Sequence, residues 1–523
     1  MGGDRARHAR ELRAGVAGAM SAPEPPMREH EDPAEAVFDE PSDVLDSTAA
    51  GGRIIRGGAL RLGTYVLTVA LSILSAALLT RHLGVTRFGD YTTVLSLVGV
   101  LSAVTDAGMS IVGQREFAVR EGAERDELMR DLLGLRIVLT AVGVLLVAAF
   151  AIAAGYDTAL LIGAVLAGLG TVALVVQHTH TIPLAAALRL GTLSALDLAR
   201  QVLTVAAIVA LVVVGTGVLP LLAVALAVNL VLIPPTAALA RDQISLRFSL
   251  RVRRWAALLR LTVSFSLAAA VGTIYVFTAQ ILTSLVSNAN QSGLFAASFR
   301  VFIVVGAVPG LLVGGALPLL ARAARDDRER LSYSLERIFE VSLILGVAAT
   351  LGALGGAHFI IEVVAGAKFE GATEVLQLQG VAFIASFIVA GWSFALLSLK
   401  LYRGVLLANF AAFVVSCTLT IVLARADGAT GAAIATICGE SVLAVGSLLV
   451  LVRGRPELMP KLGIVLKVAL AAAPAVAVAL LPGLSSILRA LLALLVYGAL
   501  ILLTHAVPEE VLELLPSRLR RAG

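Results

Sequence analysis

Six polar side chains fall inside long apolar runs of this sequence, where a charged or strongly polar group needs a special reason. They are Asp106, Arg136, Asn229, Gln280, Arg300 and Glu440. A charged side chain at the middle of a bilayer costs about 2.5–3.5 kcal/mol on insertion scales, so such residues pair, bind a ligand or line a wet cavity.

Glu440 is the most isolated of the six. It lies about eleven residues into its apolar run, or about 16 Å along a helix, which places it near the middle of a membrane. A carboxylate at this depth can couple transport to a proton or contact a substrate. It can equally be hydrogen-bonded to a neighbouring helix, for instance through Ser441, and both interpretations stay open.

Arg300 and Gln280 lie at similar depths on neighbouring runs. Each is six residues from the predicted outer end of its run, or about 9 Å along a helix. A guanidinium binds pyrophosphate well because its planar fork makes bidentate, charge-assisted hydrogen bonds. The two side chains are thus candidates for an anion-binding pair in a cleft, and the alternative is that Arg300 reaches the outer interface by snorkelling.

Asp106 and Arg136 fall in the inner thirds of two successive runs, about 10 Å and 6 Å from the predicted cytoplasmic surface. Their opposite charges predict an ion pair between adjacent helices, with either a coupling or a structural role. Asn229 lies near the middle of its own run. It is a candidate for a polar cleft or for a hydrogen bond that links two helices.

The sequence predicts no metal site, no cofactor and no catalytic residue. His178 and His180 are two residues apart, so on a helix they point about 200° apart and do not share one metal ion. Cys417 and Cys438 lie in apolar runs and form no CxxC motif, which leaves no disulfide framework and no redox or metal motif.

The composition explains why these polar groups are so few. Of 523 residues, 58% are hydrophobic and 15% are charged, and the mean hydropathy is +0.93, whereas soluble domains have about 45–50% apolar and about 25% charged residues. The chain therefore uses lipid as its solvent. The net charge of +5 is no sign of nucleic-acid binding, because the cations are sorted to one side of the membrane.

Fourteen apolar runs are long enough for membrane helices of about 20 residues. They lie near 59–80, 91–113, 132–153, 159–182, 200–215, 217–240, 261–286, 294–321, 339–362, 373–398, 403–423, 429–452, 463–481 and 484–504. This predicts an all-α polytopic membrane protein. The connections average about 11 residues, too short for a soluble catalytic domain, so we expect no enzyme.

The cations in the loops predict the orientation of these helices. With the N-terminus inside, the inner loops hold 23 Lys and Arg residues and the outer loops hold 4. Lys and Arg are retained on the cytoplasmic side. We therefore predict a protein of the cytoplasmic (plasma) membrane with both termini in the cytoplasm.

The same runs predict a division of the chain into segments. These are a disordered, Pro-rich and acidic cytoplasmic tail (1–57), a first lobe of six helices (58–240), a basic cytoplasmic linker (241–260), a second lobe of six helices (261–452), two further helices (453–504) and a second cytoplasmic tail (505–523).

A weak internal repeat supports two related lobes. A shift of 204 residues places Leu79–Tyr91 opposite Thr283–Phe295, and both segments contain an outer turn followed by Gly, one residue and an aromatic residue. The second unit starts six helices after the first. Two six-helix units then share one orientation about a pseudo-twofold axis along the membrane normal, with a substrate site expected between them.

Four motifs together resemble the polysaccharide and oligosaccharide (Wzx-type) flippases of the multidrug/oligosaccharidyl-lipid/polysaccharide (MOP) superfamily. They are Arg81-His82-Leu83-Gly84 with Phe88-Gly89-Asp90-Tyr91, Asp106-Ala107-Gly108-Met109 with Gln114-Arg115-Glu116, Ser292–Ala297 leading to Arg300, and Gly428–Thr436. The resemblance covers about residues 55–455.

The resemblance implies alternating access and export of a polyprenyl-pyrophosphate-linked oligosaccharide. The implied partners are that lipid-linked substrate, membrane lipids and, in the cell, a polysaccharide polymerase and glycosyltransferases. A lipid II flippase also fits fourteen helices. A drug/cation antiporter of the superfamily usually has an acid in its first helix, which residues 59–80 lack, and a membrane glycosyltransferase or ligase is disfavoured by the short outer loops.

Overall fold

The computed structural model describes residues 48–106, 108–187, 189–241, 249, 251–314, 320, 322–323 and 328–507. The chain divides into a unit that ends at Leu60 and a second unit from Arg61 to Gly523. In the first unit, the described residues 48–60 are helical. The packing described below lies within the second unit.

Thirteen α-helices and two short 3₁₀ helices account for nearly all of the described residues, which contain no strand. The α-helices are α1 Thr48–Asp106, α2 Met109–Val119, α3 Gly122–Ala153, α4 Thr158–Ala186, α5 Leu190–Val214, α6 Val218–Ala240, α7 Val252–Val286, α8 Ala289–Gly314, α9 Arg328–Val364, α10 Ala372–Ser398, α11 Tyr402–Gly454, α12 Gly463–Ala479 and α13 Ser486–Leu503. The 3₁₀ helices are Ala367–Phe369 and Pro456–Leu458. The all-α prediction is confirmed.

Helices dominate because a chain in hydrocarbon must satisfy its backbone hydrogen bonds within itself. Eleven helical segments of the described chain are long and apolar enough to cross a membrane. Two of them, Leu67–Val119 and Tyr402–Arg453, have 53 and 52 residues, enough for two crossings of about 20 residues each. A shorter apolar helix covers Ala270–Val286. The count of fourteen stays a prediction.

Both long segments are interrupted by a glycine in a conformation that side chains disfavour. Gly84 has φ 71° and ψ 178°, and Gly428 has φ 59° and ψ −127°; glycine adopts positive φ without a steric penalty. We call the parts of α1 before and after Gly84 α1a and α1b, and those of α11 around Gly428 α11a and α11b. Gln291 supports the second break, since its Oε1 accepts the Ala429 amide at 2.9 Å.

The repeat predicted from the sequence is visible as a direct contact between equivalent residues. Gly89 of α1b and Gly293 of α8 are 204 residues apart, and their backbones cross so closely that a Cβ on Gly89 would lie 2.8 Å from the Gly293 amide nitrogen. A Cβ on Gly293 would lie 2.0 Å from the Val85 carbonyl oxygen. Residues related by a twofold axis can meet each other directly, so the contact is the one expected if the two segments are related by a pseudo-twofold axis.

Apolar clusters hold the helices together within and between the lobes. Phe88 of α1b packs edge-on against Phe369, which follows α9, with ring centroids 5.8 Å apart. This contact belongs to a buried cluster that joins α1 to the ends of α9 and α10. The last two helices pack on α9, where Val468 of α12 and Tyr497 of α13 share a cluster with Leu351.

Several predicted segments differ from the structure or lie beyond it. Of the predicted disordered tail 1–57, residues 1–47 lie outside the described residues, and the chain is helical from Thr48 onward, which is earlier than predicted. The predicted linker 241–260 is partly outside as well, at 242–248 and 250, and Val252 already begins α7. Residues 315–319 and 508–523 also lie outside the described residues.

Candidate functional site

A cavity of about 430 Å³ lies between α1b and α7. These helices belong to different lobes of the repeat, so the cavity lies between the lobes, where the sequence predicts the substrate site. Its lining consists mainly of small residues with one acid and one ring, namely Gly99, Ser102, Ala103, Asp106, Gly108, Ala270, Thr273 and Phe277. Gly99 makes room for the Phe277 ring, because a Cβ there would lie 2.7 Å from the ring carbons.

Asp106, the last residue of α1b, contributes the carboxylate of this cavity. Its Oδ1 accepts a hydrogen bond from Arg136 Nη2 of α3 at 2.5 Å and another from Ser110 Oγ at 2.6 Å. The Asp106 side chain is 45% exposed, whereas the Arg136 side chain is 1% exposed. The structure thus brings the two predicted residues together as an ion pair with one partner at the cavity and the other behind it.

Arg136 is surrounded by polar groups from other helices of the first lobe. Its Nη1 donates to Thr179 Oγ1 of α4 at 3.4 Å, and its Nε has no hydrogen-bond partner among the described residues. His178, next to Thr179, has its Nε2 at 3.0 Å from Arg200 Nη1 of α5. The described residues contain no cluster of three His, Cys, Asp or Glu side chains that could hold a metal ion.

Arg300 of α8 connects the two lobes. Its Nη2 donates to the hydroxyl oxygen of Ser72 on α1a at 3.0 Å and to the carbonyl oxygen of the same residue at 3.3 Å. Both oxygens of Ser72 that accept hydrogen bonds from Arg300 are uncharged. Arg300 therefore joins α8 of the second lobe to α1a, the first helix of the first lobe.

Gln280 of α7 makes a separate set of contacts from those of Arg300. Its Nε2 donates to Ser292 Oγ of α8 at 2.9 Å, and it approaches Thr92 Oγ1 of α1b at 3.5 Å. Its Oε1 has no hydrogen-bond partner among the described residues. Gln280 therefore joins α7, α8 and α1b near the pseudo-twofold axis.

Glu440 of α11b is buried within the second lobe, with 7% of the residue exposed. Tyr275 of α7 donates its hydroxyl to Glu440 Oε1 at 3.1 Å, and Ser386 of α10 also hydrogen-bonds the carboxylate. These partners replace the predicted Ser441, which is exposed. Glu440 thus joins three helices of one lobe and is not among the residues that line the cavity.

Asn229 of α6 is buried within the first lobe. Its Nδ2 donates to the Gly170 carbonyl oxygen of α4 at 3.1 Å. The two helices approach closely there, since a Cβ on Gly170 would lie 2.9 Å from the Leu226 amide nitrogen. Of the two interpretations of Asn229, the observed contact is the link between helices.

The two lobes are joined at the helix ends that the sequence predicts to face outward. Thr80 Oγ1, at the end of the first helix, donates to the Val364 carbonyl oxygen at 3.1 Å. Ser284, which is 204 residues later, has its Oγ at 3.0 Å from the Tyr156 hydroxyl, and burial raises the pKa of that phenol. The first helix of each lobe therefore contacts the other lobe at or just after the end of its third helix.

The partners of the polar residues are what sequence reasoning missed. Tyr275, Ser72 and Thr179 come from helices distant in sequence, and neither their spacing nor their type distinguishes them from other residues of their runs. Ser110 is different, because it follows Asp106 by four residues, and residues at this spacing lie on one face of a regular helix. The hydrogen bond between Ser110 and Asp106 could therefore have been predicted from the sequence.

The apolar helices of the described chain define a polytopic membrane protein. The chain belongs to the polysaccharide biosynthesis protein family, whose model matches residues 78–374. No curated protein matches the sequence.

Two solved structures show where this fold recurs. One, described as "Lipid II flippase MurJ, inward closed conformation", has a TM-score of 0.71 and 13% identity, over 85% of this chain and 98% of that chain. The other is an inward-facing multidrug resistance MATE family transporter of the MOP superfamily, with a TM-score of 0.58 and 15% identity, over 76% of this chain and 98% of that chain. Such likenesses show the fold alone.

Proposed function

We propose that this chain flips a polyprenyl-pyrophosphate-linked oligosaccharide from the inner to the outer leaflet for cell-surface polysaccharide biosynthesis. The observation that carries the proposal is the match to the polysaccharide biosynthesis family over residues 78–374, which include α1b, α7 and the cavity between them. Flipping requires only differential binding to two states, and no covalent step. The proposed setting is the plasma membrane, with both termini in the cytoplasm.

The predicted site residues take different parts in this proposal. Asp106 and Arg136 act at the cavity, while Arg300 and Gln280 act where the lobes meet. Glu440 and Asn229 hold helices together within their own lobes, because their hydrogen-bond partners come from the same lobe. The saccharide occupies the cleft while the prenyl tail stays in lipid, and a polymerase and glycosyltransferases are the proposed cellular partners.

A lipid II flippase is the second candidate, favoured by the likeness to the structure of that name. Both substrates are polyprenyl pyrophosphates with a saccharide, so one transport cycle serves either. A drug/cation antiporter has less support, since the cavity holds a carboxylate that is already paired with Arg136.

The test is flipping by the purified chain in vesicles that carry a fluorescent lipid-linked oligosaccharide. An outer-leaflet quencher reports the exposed fraction with time, and parallel vesicles carry fluorescent lipid II. Arg300→Gln should slow flipping, whereas Arg189→Gln, at an exposed position, serves as the matched control. Faster flipping of lipid II than of the oligosaccharide lipid would favour the second candidate, and flipping of neither would refute both.

A further inference from the structure

Two further cavities meet in the first third of α9, near the helix ends that the sequence predicts to face the cytoplasm, and Arg337 lines both of them. The larger has a volume of about 460 Å³ and lies between α9, the start of α12 and the residues just after α13. The smaller, of about 200 Å³, lies between α8, α9 and α10. Neither shares a lining residue with the cavity that contains Asp106, so they are separate from it.

The larger cavity is lined by three lysine or arginine side chains and two acids. Lys461 Nζ lies 3.1 Å from the Glu336 carboxylate. Arg337 Nη1 lies 2.6 Å from the Glu340 carboxylate. The third cation, Lys467 of α12, has no acid as a partner among the described residues, and its Nζ donates to a backbone carbonyl oxygen at 3.2 Å. The cavity therefore carries a positive charge that its own acids do not neutralise.

Both lysines of the larger cavity are able to turn toward a ligand. The Lys461 side chain is 82% exposed, and an exposed ion pair contributes little to stability, so Lys461 can exchange Glu336 for another anion. Lys467 is exposed as well. Ammonium groups make charge-assisted hydrogen bonds to phosphate oxygens, and the volume lies within the range of about 300–1,000 Å³ that is usual for ligand sites. The larger cavity therefore fits a phosphate headgroup.

The smaller cavity suits hydrocarbon. Apart from Arg337 and Ser342, its described lining is apolar and includes Val313, Val341 and Phe387 from three helices. A methylene chain in such a space gains the dispersion contacts that an empty space lacks. Because Arg337 lines both cavities, the polar and the apolar space adjoin each other, as the phosphate and the acyl chains do in a phospholipid.

The larger cavity lies beside a surface that contacts lipid in a membrane. Leu462, Leu466 and Leu470 recur every four residues at the start of α12 and are 55%, 65% and 62% exposed. Lys467 follows directly after Leu466, and a lysine at such a border extends its ammonium from the apolar surface toward water. A lipid of the bilayer can therefore reach the cavity without entering the space between the lobes.

We propose that the two cavities bind an anionic phospholipid of the inner leaflet, with its phosphate at Lys461 and Lys467 and part of one acyl chain in the smaller cavity. Anionic lipids are abundant in the cytoplasmic leaflet, and basic pockets between membrane helices on that side bind their headgroups. The occupant is a resident lipid of the bilayer, so the inference does not depend on which lipid is flipped. The bound lipid fastens α12 and α13 to α9 of the second lobe.

The experiment uses the fluorescence of Trp392 as its readout. Trp392 lines an apolar pocket that adjoins the smaller cavity, since Ile338 lines both. The chain has two tryptophans, so Trp255→Phe leaves Trp392 alone. The purified full chain is placed in phosphatidylcholine vesicles with a minor fraction of phosphatidylglycerol. Bromine, which quenches tryptophan fluorescence, is carried either by the chains of the phosphatidylglycerol or by an equal fraction of the phosphatidylcholine.

Brominated phosphatidylglycerol should quench Trp392 more strongly than brominated phosphatidylcholine, with an enrichment at the site of at least about fivefold. Lys467→Gln should lower this enrichment about fivefold, because one cation near the surface contributes about that factor, whereas Lys467→Arg should keep it. Lys368→Gln is the matched control, since Lys368 is exposed on the first 3₁₀ helix at the predicted outer side, and it should leave the enrichment unchanged. Equal quenching by the two brominated lipids would overturn the proposal.

The apolar half of the site is tested with the lysines in place. Val341→Phe fills the smaller cavity, so it should lower the excess quenching by brominated phosphatidylglycerol, and an unchanged excess would overturn the placement of the acyl chain. Unbrominated phosphatidylglycerol should relieve the quenching, whereas glycerol phosphate, which has no chains, should not. Relief by glycerol phosphate would assign a soluble phosphate to the site. Stronger relief by geranylgeranyl phosphate than by phosphatidylglycerol would assign a polyprenyl lipid, and either result would overturn the proposal.

Discussion

Asp106 in the first lobe and Glu440 in the second are both carboxylates inside membrane helices, and their surroundings are opposite. Asp106 lies at the cavity between the lobes, is 45% exposed and pairs with a charged guanidinium. Glu440 is 7% exposed and receives a hydroxyl from Tyr275, all within one lobe. One carboxylate lies at a cavity between α1b and α7, and the other lies where three helices of the second lobe are joined by hydrogen bonds.

The difference in partners explains the difference in role. An ion pair beside a cavity can exchange one counter-ion for another, because water and ligands reach the exposed member. A carboxylate hydrogen-bonded to hydroxyl groups inside a lobe has no ligand access in this arrangement, and its contacts fix the relative positions of α7, α10 and α11. The same residue type therefore has an exposed, charged partner arrangement at the cavity and a buried, hydroxyl-bonded one inside the second lobe.

The largest expected effect on stability comes from removing the counter-ion of Arg136, the buried cation of the first lobe. Asp106→Ala leaves Arg136 enclosed without a counter-ion, which should lower the free energy of unfolding by about 3–5 kcal/mol. Arg136→Met leaves Asp106 beside the cavity, where water can solvate it, so the loss should be less than half as large. Thermal unfolding of the purified variants in one detergent measures both values.

The double variant Asp106→Ala with Arg136→Met is the control for this asymmetry. It removes both charges, so it should recover most of the stability lost in Asp106→Ala, as a coupled pair requires. If the two single variants lost the same free energy of unfolding, the assignment of Asp106 as the exposed partner would be wrong. Asp106 would then be a buried carboxylate, as Glu440 is.

A smaller effect on stability is expected from substitutions of Glu440 in the second lobe, because its partner Tyr275 is uncharged. Glu440→Leu removes the acceptor of the buried Tyr275 hydroxyl, which should cost about 1–3 kcal/mol of unfolding free energy. Glu440→Gln keeps an oxygen at the same place, so its cost should be below about 1 kcal/mol. The measurement is the same unfolding series together with the vesicle flipping rate.

Flipping distinguishes the architectural role from a coupling role. If Glu440 only holds helices together, Glu440→Gln should flip lipid at a rate within about twofold of the unmodified chain. If Glu440→Gln is stable but its flipping rate no longer responds to an imposed proton gradient, Glu440 takes part in proton coupling. The purely architectural role that distinguishes Glu440 from Asp106 would then be wrong.

Much of the fold could be predicted from the sequence because its causes are local. An apolar run long enough to cross a membrane must be helical in lipid, and a glycine at an outer turn predicts a break, as at Gly84 and Gly428. The repeat could be found for a related reason. Gly89 and Gly293 meet at the pseudo-twofold axis, where any side chain would collide with backbone, so both positions need glycine.

The site was less predictable because its partners depend on how helices are rotated and packed. Opposite charge was enough to anticipate the contact between Asp106 and Arg136. No periodicity relates Glu440 to Tyr275, or Arg300 to Ser72, since hydroxyl residues are frequent in every membrane run. Whether a polar residue faces a cavity or the inside of a lobe is decided by tertiary packing, which the sequence pattern of one helix does not specify.

The smallest expected effect compares two glycines that face aromatic residues of α7. A Cβ on Gly439 would lie 2.6 Å from the Tyr275 hydroxyl, and one on Gly99 would lie 2.7 Å from the Phe277 ring. Gly439→Ala should displace Tyr275 from Glu440 inside a packed lobe and cost about 1–2 kcal/mol of unfolding free energy. Gly99→Ala should push the Phe277 ring into the cavity, with less than about 1 kcal/mol lost, yet it should slow flipping.

Both substitutions also gain helix propensity, by up to about 1 kcal/mol, and Gly352→Ala in α9 measures that gain alone because a Cβ there meets no atom within 4 Å. After this correction, stability should fall mainly in Gly439→Ala and flipping mainly in Gly99→Ala, since only the second position borders the space that the substrate needs. A Gly99→Ala protein that loses as much stability as Gly439→Ala, while it flips lipid normally, would show that the cavity wall is as rigid as the interior of the second lobe.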